Sequence, residues 1–307
     1  MKLKKVIVTG ANGFVGSALI RELVSANVQV IALDMEGHDN NIPTSSLVTF
    51  FPMELKNITF LDSVLPFGEY DAFYHFAWAG SAGSSRVDVD LQLNNVKWTV
   101  DCLRLSKRLG CQRFVCSGSI MENEIIMAAF TPECRPGLAY IYGSAKLVAH
   151  TICKSMAADL EVDLIWAQIT NAYGIGEISP RFVNTTLRKV ISGERLQFTL
   201  GSQNYDFVYI DDVARAFRMI GENGKPFCEY LIGSSNAMPL REFILKIKEA
   251  VAPKREFIFG EIPYTGVNMP LKAFDCFETE RDTGFRAEIS FTDGVKKTYD
   301  WLNAMEG

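Results

Sequence analysis

A short β-branched run that stops on a glycine loop constrains this chain more than any other feature. Lys5-Val6-Ile7-Val8-Thr9 reads as a buried strand, and Gly10-Ala11-Asn12-Gly13-Phe14-Val15-Gly16 follows it. Ser17-Ala18-Leu19-Ile20-Arg21-Glu22-Leu23-Val24 then carries apolar residues at helical spacing. Glycine tolerates positive φ and lets a backbone approach a ligand closely. The start of a helix offers unpaired N–H groups and a partial positive charge. Strand, glycine turn and helix in that order build a site for a phosphate group, where an isolated glycine triplet would be only a tight turn. The next strand, Val28-Gln29-Val30-Ile31-Ala32-Leu33, ends in Asp34, whose carboxylate can accept hydrogen bonds from an adenosine ribose. The unit predicts a dinucleotide site.

The totals narrow the class. A chain of 307 residues can bury a substantial core in one large domain or two ordinary ones. Apolar residues make up 48% and charged residues 22%, the balance of a water-soluble globular protein. A net charge of −5 with no basic stripe argues against nucleic acid as a partner. Met1-Lys2-Leu3-Lys4-Lys5 has the charge of a signal-peptide start, but only Val6-Ile7-Val8 follows before the glycines, too short for its apolar core. No apolar stretch is long enough to span a bilayer, so no membrane partner is expected. Seven cysteines without a CxxC pair imply reduced thiols and a cytoplasmic enzyme. His38, His75 and His150 lie far apart without zinc-ligand spacing, so no metal is expected.

Strand and helix patterns alternate through the first half, which argues for a parallel sheet covered on both faces. The polar stretch from Glu36 to Ser46 reads as a loop near the adenosine end. Leu47-Val48-Thr49-Phe50-Phe51 is a third strand, and Met53-Glu54-Leu55 behind it can approach an adenine. Ala72-Phe73-Tyr74-His75-Phe76-Ala77 is a fourth strand, leading into the loop Trp78-Ala79-Gly80-Ser81-Ala82-Gly83, where the strand ends of such a sheet form a crevice. A helix is predicted over 89–109, with Val96, Val100, Leu103 and Leu105 on its apolar side and Gly110 as its stop. Arg113-Phe114-Val115-Cys116 is a fifth strand with Ser117-Gly118-Ser119 at its end, 131–137 is loop, and helix returns over 140–160. Val162-Asp163-Leu164-Ile165-Trp166-Ala167 is a sixth strand. Beyond Asn171 the elements shorten: a helix over 180–192, a strand Phe207-Val208-Tyr209-Ile210, a helix opening at Asp211 with Asp212 in its first turn, and helices over 240–251 and 292–303. Residues 1–170 are therefore expected to hold the dinucleotide, and 171–307 to form mainly a smaller substrate-binding lobe, with some segments returning to the first sheet.

Tyr142 and Lys146 stand four apart on a predicted helix, so both project from one face. An ammonium beside a phenol favours the phenolate. Lowering a phenol from about 10 to about 7 takes roughly 4 kcal/mol, within reach of a desolvated Lys together with a cationic nicotinamide. Such a tyrosine can take the proton of a hydroxyl while hydride leaves the same carbon. Chance places many Tyr–Lys pairs at this spacing; this pair falls on the helix that follows the fifth strand, facing its end. Ser119 can hold the same substrate oxygen by a hydrogen bond, and Ser117 can do so too or simply satisfy the turn. A P-loop is excluded because Ser17-Ala18 follows Gly16 in place of Lys-Ser/Thr, and no GxSxG turn supports a serine hydrolase.

These residues together resemble the extended short-chain dehydrogenase/reductases, the NAD-dependent nucleotide-sugar epimerase and dehydratase group. The resemblance spans nearly the whole chain: Thr9 to Gly16, Asp34, His75-Phe76-Ala77, Asn95, Ser117-Gly118-Ser119, Tyr142-Gly143-Ser144-Ala145-Lys146, Asn171-Ala172-Tyr173-Gly174 and Asp206 to Val213. It implies an α/β, Rossmann-type doubly wound parallel sheet with a smaller C-terminal lobe, and NAD as cofactor. Tyr142 would be the acid–base, Lys146 would hold the nicotinamide ribose, and Ser119 would be the catalytic hydroxyl. Gly10, Asn12, Gly13, Phe14, Val15 and Gly16 would cradle the pyrophosphate, with Asp34 and Glu54 at the adenosine. Ala77, Ala79, Gly80, Asn95 and Ser117 would line the dinucleotide path, while Asn171 and Arg181 would face the nucleotide sugar. The resemblance also implies a homodimer paired through the helices over 89–109 and 140–160.

The chain departs from the family pattern in three places. The dehydratases carry Asp-Glu directly after their catalytic Thr; here Ile120-Met121 follows Ser119, which disfavours dehydration. The run Ile120-Met121-Glu122-Asn123-Glu124, like Ala77-Trp78, looks closer to some 4-keto-sugar reductases of the group. Tyr205 stands where most members place an Arg for the substrate diphosphate, leaving Arg181, Arg188 or Arg195 to substitute. The expected activity is epimerisation by transient oxidation at C4 with bound NAD, and Asp34 favours NAD because it repels a 2′-phosphate. A 4-keto-sugar reductase using the same residues is the alternative, and a non-catalytic NAD(H)-binding protein is a third reading of another class.

Overall fold

The computed structural model describes every residue except Asp39, Glu69 and Gly307, and Glu306 through its backbone alone. Asp39, part of the polar loop predicted over 36–46, therefore lies outside the described residues. The first half runs β1 (Lys5–Thr9), α1 (Phe14–Ser25), β2 (Gln29–Asp34), β3 (Val48–Pro52), β4 (Ala72–His75), α2 (Val89–Arg108), β5 (Arg113–Ser119), α3 (Met121–Ala129), α4 (Tyr140–Leu160) and β6 (Asp163–Ile169). The second half runs β7 (Asn171–Tyr173), α5 (Phe182–Ile191), β8 (Leu196–Phe198), β9 (Asn204–Tyr205), β10 (Phe207–Tyr209), α6 (Ile210–Asn223), β11 (Glu229–Ile232), β12 (Met238–Pro239), α7 (Leu240–Val251), β13 (Phe257–Phe259), α8 (Phe277–Thr283) and α9 (Phe291–Glu306).

Seven strands form one sheet in the order β11-β6-β5-β4-β1-β2-β3, every neighbouring pair parallel. Side chains alternate across it with the strand's period of two. On β1, Val6 and Val8 enter the core shared with Leu19 and Leu23 of α1 and Phe217 of α6. Ile7 enters the opposite core, with Phe73, Val96 and Val100 of α2 and Ala149 and Cys153 of α4. The central strands are apolar on both faces for this reason, and the fold has three layers. α2 is stopped and started by its own sequence: the Asp88 carboxylate accepts the Leu91 N–H at 3.0 Å, and Gly110 follows its end at φ +73°.

The strand edges differ from the periodicity in ways that bear on the site. β4 ends at His75, and Phe76 to Ala79 leave the sheet as a cavity wall. β5 runs on to Ser119, because Ser117, Gly118 and Ser119 pair with Ala167, Gln168 and Ile169 of β6. α3 occupies a stretch with no helix predicted, and β11 crosses from the second half to close the sheet edge beside β6. The remaining late elements gather on aromatic side chains: Phe207, Phe243 and Phe291 pack with centroids 4.9 Å (207–243), 4.8 Å (243–291) and 5.4 Å (207–291) apart. Among the described residues no helix is long and apolar enough to cross a membrane.

Candidate active site

The carboxyl ends of β1, β2, β4 and β5 open onto a cavity of about 580 Å³. At its floor the glycine loop turns back on itself. Gly10 has φ +67°, and a Cβ there would sit 2.6 Å from the Ala77 nitrogen. A Cβ on Gly16 would lie 2.0 Å from the Gly10 carbonyl oxygen. Helix α1 therefore starts hard against the loop, with Gly13 at its N-cap and no side chain capping it. Its first-turn N–H groups are left for a ligand, the arrangement that holds a diphosphate. Asn12, Gly13, Phe14, Val15 and Gly16 all line the cavity. Asp34, at the end of β2, accepts the Asn12 N–H at 2.9 Å and the Met35 N–H at 2.8 Å, one on each oxygen. Each oxygen keeps a lone pair for a ribose hydroxyl. Met53, Glu54 and Leu55 border the same end, with Glu54 paired to Lys56 at 2.6 Å. The loop, the bare helix start and the carboxylate fit a dinucleotide.

At the other end the cavity meets a second one of about 370 Å³, and Ser119 and Tyr142 line both. Tyr142 is buried on α4, its ring edge-on to Trp78 with centroids 6.0 Å apart. Lys146, one turn on, is buried too: its ammonium donates to the Ser117 carbonyl at 2.8 Å and lies 3.8 Å over the Trp78 ring. A desolvated cation on an indole face is worth about 2 kcal/mol, so Trp78 fixes the ammonium as well as the carbonyl does. Ser119 Oγ accepts the Met121 N–H at 3.2 Å, which leaves its own proton free to donate. His75, beneath this group, bridges the Thr9 hydroxyl at 2.8 Å and the Thr99 hydroxyl at 3.1 Å. Burial and the Lys146 charge push it down to about 3, so it is neutral and structural.

Several expected residues take other parts. Asn95 does not reach the cavity: its amide is consumed by Ala79, whose N–H it accepts at 3.0 Å and to whose carbonyl it donates at 2.8 Å. Gly80 is likewise outside the lining and its carbonyl accepts from Gln92 at 3.1 Å. Both shape the wall that Ala77 and Ala79 present. Ser117 lines the cavity but acts through its carbonyl, while its hydroxyl donates to His75 O at 3.4 Å. Asn171 lines the second cavity with its amide donating to Asp206 O at 3.0 Å. Arg181 borders both cavities and pairs with Glu177 at 3.2 Å, whereas Arg188 and Arg195 border neither.

Trp78, Arg86 and Glu122 touch Lys146, Tyr142 and Ser119, and spacing did not single them out. Glu122 is fully buried behind Ser119. Its carboxylate accepts the Ser119 N–H at 2.7 Å, the Trp166 indole N–H at 3.1 Å and the Gln168 amide at 3.2 Å, and meets His150 Nδ1 at 2.9 Å. His150 stacks on Trp166 at 4.5 Å and reaches Glu229 at 3.4 Å. Burial pulls His150 down, but its hydrogen bonds to Glu122 and Glu229 outweigh that and hold it above the ordinary histidine value. Gly118 makes room for this cluster, since a Cβ there would lie 2.3 Å from Trp166 Nε1 and 2.6 Å from Glu122 Oε1. The one legible signal is that Tyr142, Lys146 and His150 repeat at four-residue spacing on α4.

The model of the NAD dependent epimerase/dehydratase family matches residues 6–233. The chain belongs to this family. It is 23% identical to a probable dTDP-glucose 4,6-dehydratase of Sinorhizobium fredii, over 97% of this chain and 92% of that protein. It is also 23% identical to the dTDP-4-dehydro-6-deoxyglucose reductase of Escherichia coli, over 95% of each. Its fold superposes with a TM-score of 0.82 on a UDP-glucuronic acid 4-epimerase from Bacillus cereus in complex with UDP-4-deoxy-4-fluoro-glucuronic acid and NAD. That pair shares 20% identity and covers 98% of this chain and 99% of the other. The family is one of NAD-dependent enzymes, which agrees with the glycine loop and Asp34. The dehydratase, reductase and epimerase among these proteins mark a common nucleotide-sugar chemistry.

Proposed function

We propose that this protein is a nucleotide-sugar 4-epimerase working with bound NAD. The observation that carries the reading is the place of Ser119 and Tyr142 at the junction of the two cavities, with Lys146 one helical turn behind. NAD, held by the Gly10–Gly16 loop and Asp34, supplies a hydride acceptor and donor. Tyr142 takes the proton of the sugar hydroxyl and later returns one to the same oxygen. Ser119, its lone pair engaged by Met121 N–H, donates a hydrogen bond to that oxygen throughout. Lys146 is held in reach by Trp78 and Ser117. Ile120 and Met121 offer no carboxylate beside Ser119, which weighs against dehydration.

Tyr142→Phe tests this directly: epimerisation of the nucleotide sugar falls by about 10²- to 10⁴-fold while NAD binding persists. A variant that keeps most of its activity refutes the mechanism. The stretch from Ser119 to Glu124 together with Ala77-Trp78 favours a 4-keto-sugar reductase as the second reading. The two separate by the small molecules that denatured protein releases and by cofactor use. Stoichiometric NAD released and none consumed marks the epimerase; steady loss of absorbance at 340 nm with a 4-keto sugar marks the reductase.

A further inference from the structure

Arg86 stands on the 3₁₀ turn Ser84–Val87 ahead of α2 and borders the second cavity, across which lie Arg181, Tyr205 and Tyr264. Its guanidinium carbon lies 4.5 Å over the Tyr142 ring. One terminal nitrogen touches the Met121 sulfur, a weak acceptor, and Nε is buried with no hydrogen-bond partner. Among the described residues no carboxylate lies within ion-pair distance of it, whereas Arg181 has one and Arg215 and Arg218 have two each. A guanidinium carries five donors in a planar fork suited to two-oxygen acceptors, and leaving them unmatched away from water is costly. Burial accordingly pulls Arg86 below the ordinary arginine value.

Two acids face this space. Glu177 is engaged by Arg181 and by the Ser179 N–H at 2.9 Å. Glu124 is pushed up to about 7 by burial, against the pull of Arg86, and its carboxyl lies beyond ion-pair distance of the guanidinium. The cation in the substrate cavity is thus left without an ion-pair partner among the described residues.

We propose that Arg86 is the oxyanion-binding residue of the substrate cavity, gripping either a carboxylate on the sugar or a phosphate oxygen of the nucleotide through its fork. This rests on the nucleotide-sugar reading of the site. The test is calorimetric binding to NAD-loaded protein, so turnover is not needed. UDP, dTDP, their glucose conjugates and UDP-glucuronic acid are titrated into the parent, Arg86→Gln and Arg86→Lys. Gln removes the charge-assisted hydrogen bonds and weakens binding about ten- to hundred-fold, and Lys, with charge but no fork, recovers part of it.

Weakening confined to UDP-glucuronic acid identifies a sugar carboxylate, and equal weakening of every ligand that binds, including the free diphosphate, identifies the phosphate. Either result supports the role. Affinities within about twofold of the parent for all ligands overturn it, with unchanged NAD affinity and melting temperature showing that the variants are folded. If the parent binds none of these ligands, the nucleotide-sugar reading fails and carries this role with it.

Discussion

Replacing Glu122 by Leu removes the acceptor that Ser119 N–H, Trp166 Nε1, Gln168 Nε2 and His150 share, in a place without water. His150 can lose its proton, but the Ser119 amide, the Trp166 indole and Gln168 Nε2 have no second acceptor, since Asn123 donates at 3.2 Å to Gln168 Oε1 and leaves Nε2 unpaired. Three stranded buried donors at about 1–3 kcal/mol each give about 3–9 kcal/mol. In a chain of 307 residues, with an unfolding entropy of about 2.1 cal/mol/K per residue, that is a fall of roughly 5–14 °C in melting temperature. Glu122→Gln keeps the shape and one oxygen, so it loses less stability; its signature is a lower kcat at unchanged KM, because Ser119 shifts on the strand end.

The pH dependence gives a second reading of the same pair. His150 is held above its ordinary value, so its contribution is complete below about 6.5 and is lost as pH rises through the higher folded value. The parent therefore loses melting temperature as pH rises from about 6.5 through that folded value, and Glu122→Leu, which leaves only Glu229 to hold the proton, has a shallower slope. Scanning fluorimetry at several pH values measures both effects. A Glu122→Leu protein melting within about 2 °C of the parent, about 1.3 kcal/mol on this scale, refutes the reasoning.

Substitutions in the cofactor cradle and on the helix faces have equally definite outcomes. Gly16→Ala forces a methyl group into the Gly10 carbonyl, so NAD binding followed by fluorescence titration is lost or weakened by at least about tenfold. Asp34→Asn replaces a carboxylate oxygen by a donor facing the Asn12 or Met35 N–H; if Asp34 holds the adenosine ribose, NAD affinity falls about tenfold, and undiminished affinity would remove Asp34 from the site. Leu93 of α2 and Val148 and Ile152 of α4 are exposed on packed neighbouring helices, so sedimentation is expected to give a dimer that Leu93→Asp with Ile152→Asp splits; a parent that sediments as a 34.3 kDa monomer at micromolar concentration contradicts the pairing.

What the sequence makes legible here is local. The Gly10–Gly16 loop, Asp34 and the Tyr142–Lys146 step lie within single strand–turn–helix units, where spacing alone fixes the face a side chain takes. Ser119 is legible because it ends a strand that points at them. Trp78, Arg86 and Glu122 are not, because each gains its role from a partner far along the chain: Lys146, Tyr142 and Trp166. α3 escapes detection because Ile120 occupies its N-cap with helical dihedrals and no capping side chain, so no start signal is written. β11 is a short segment whose neighbour β6 lies far back in the chain, and no local pattern announces which sheet it joins. Asn95 is placed beside the cavity with its amide tied to Ala79, because periodicity cannot tell an amide that meets a ligand from one that ties a loop.

Gly118 has a consequence for descent. Any side chain there collides at once with an indole from β6 and a carboxylate from α3, so neither neighbour can be kept while the glycine changes. A side chain at Gly118 therefore becomes possible only once the Trp166 indole and the Glu122 carboxylate have already been given up or moved, so the geometry sets an order in which these three positions can change.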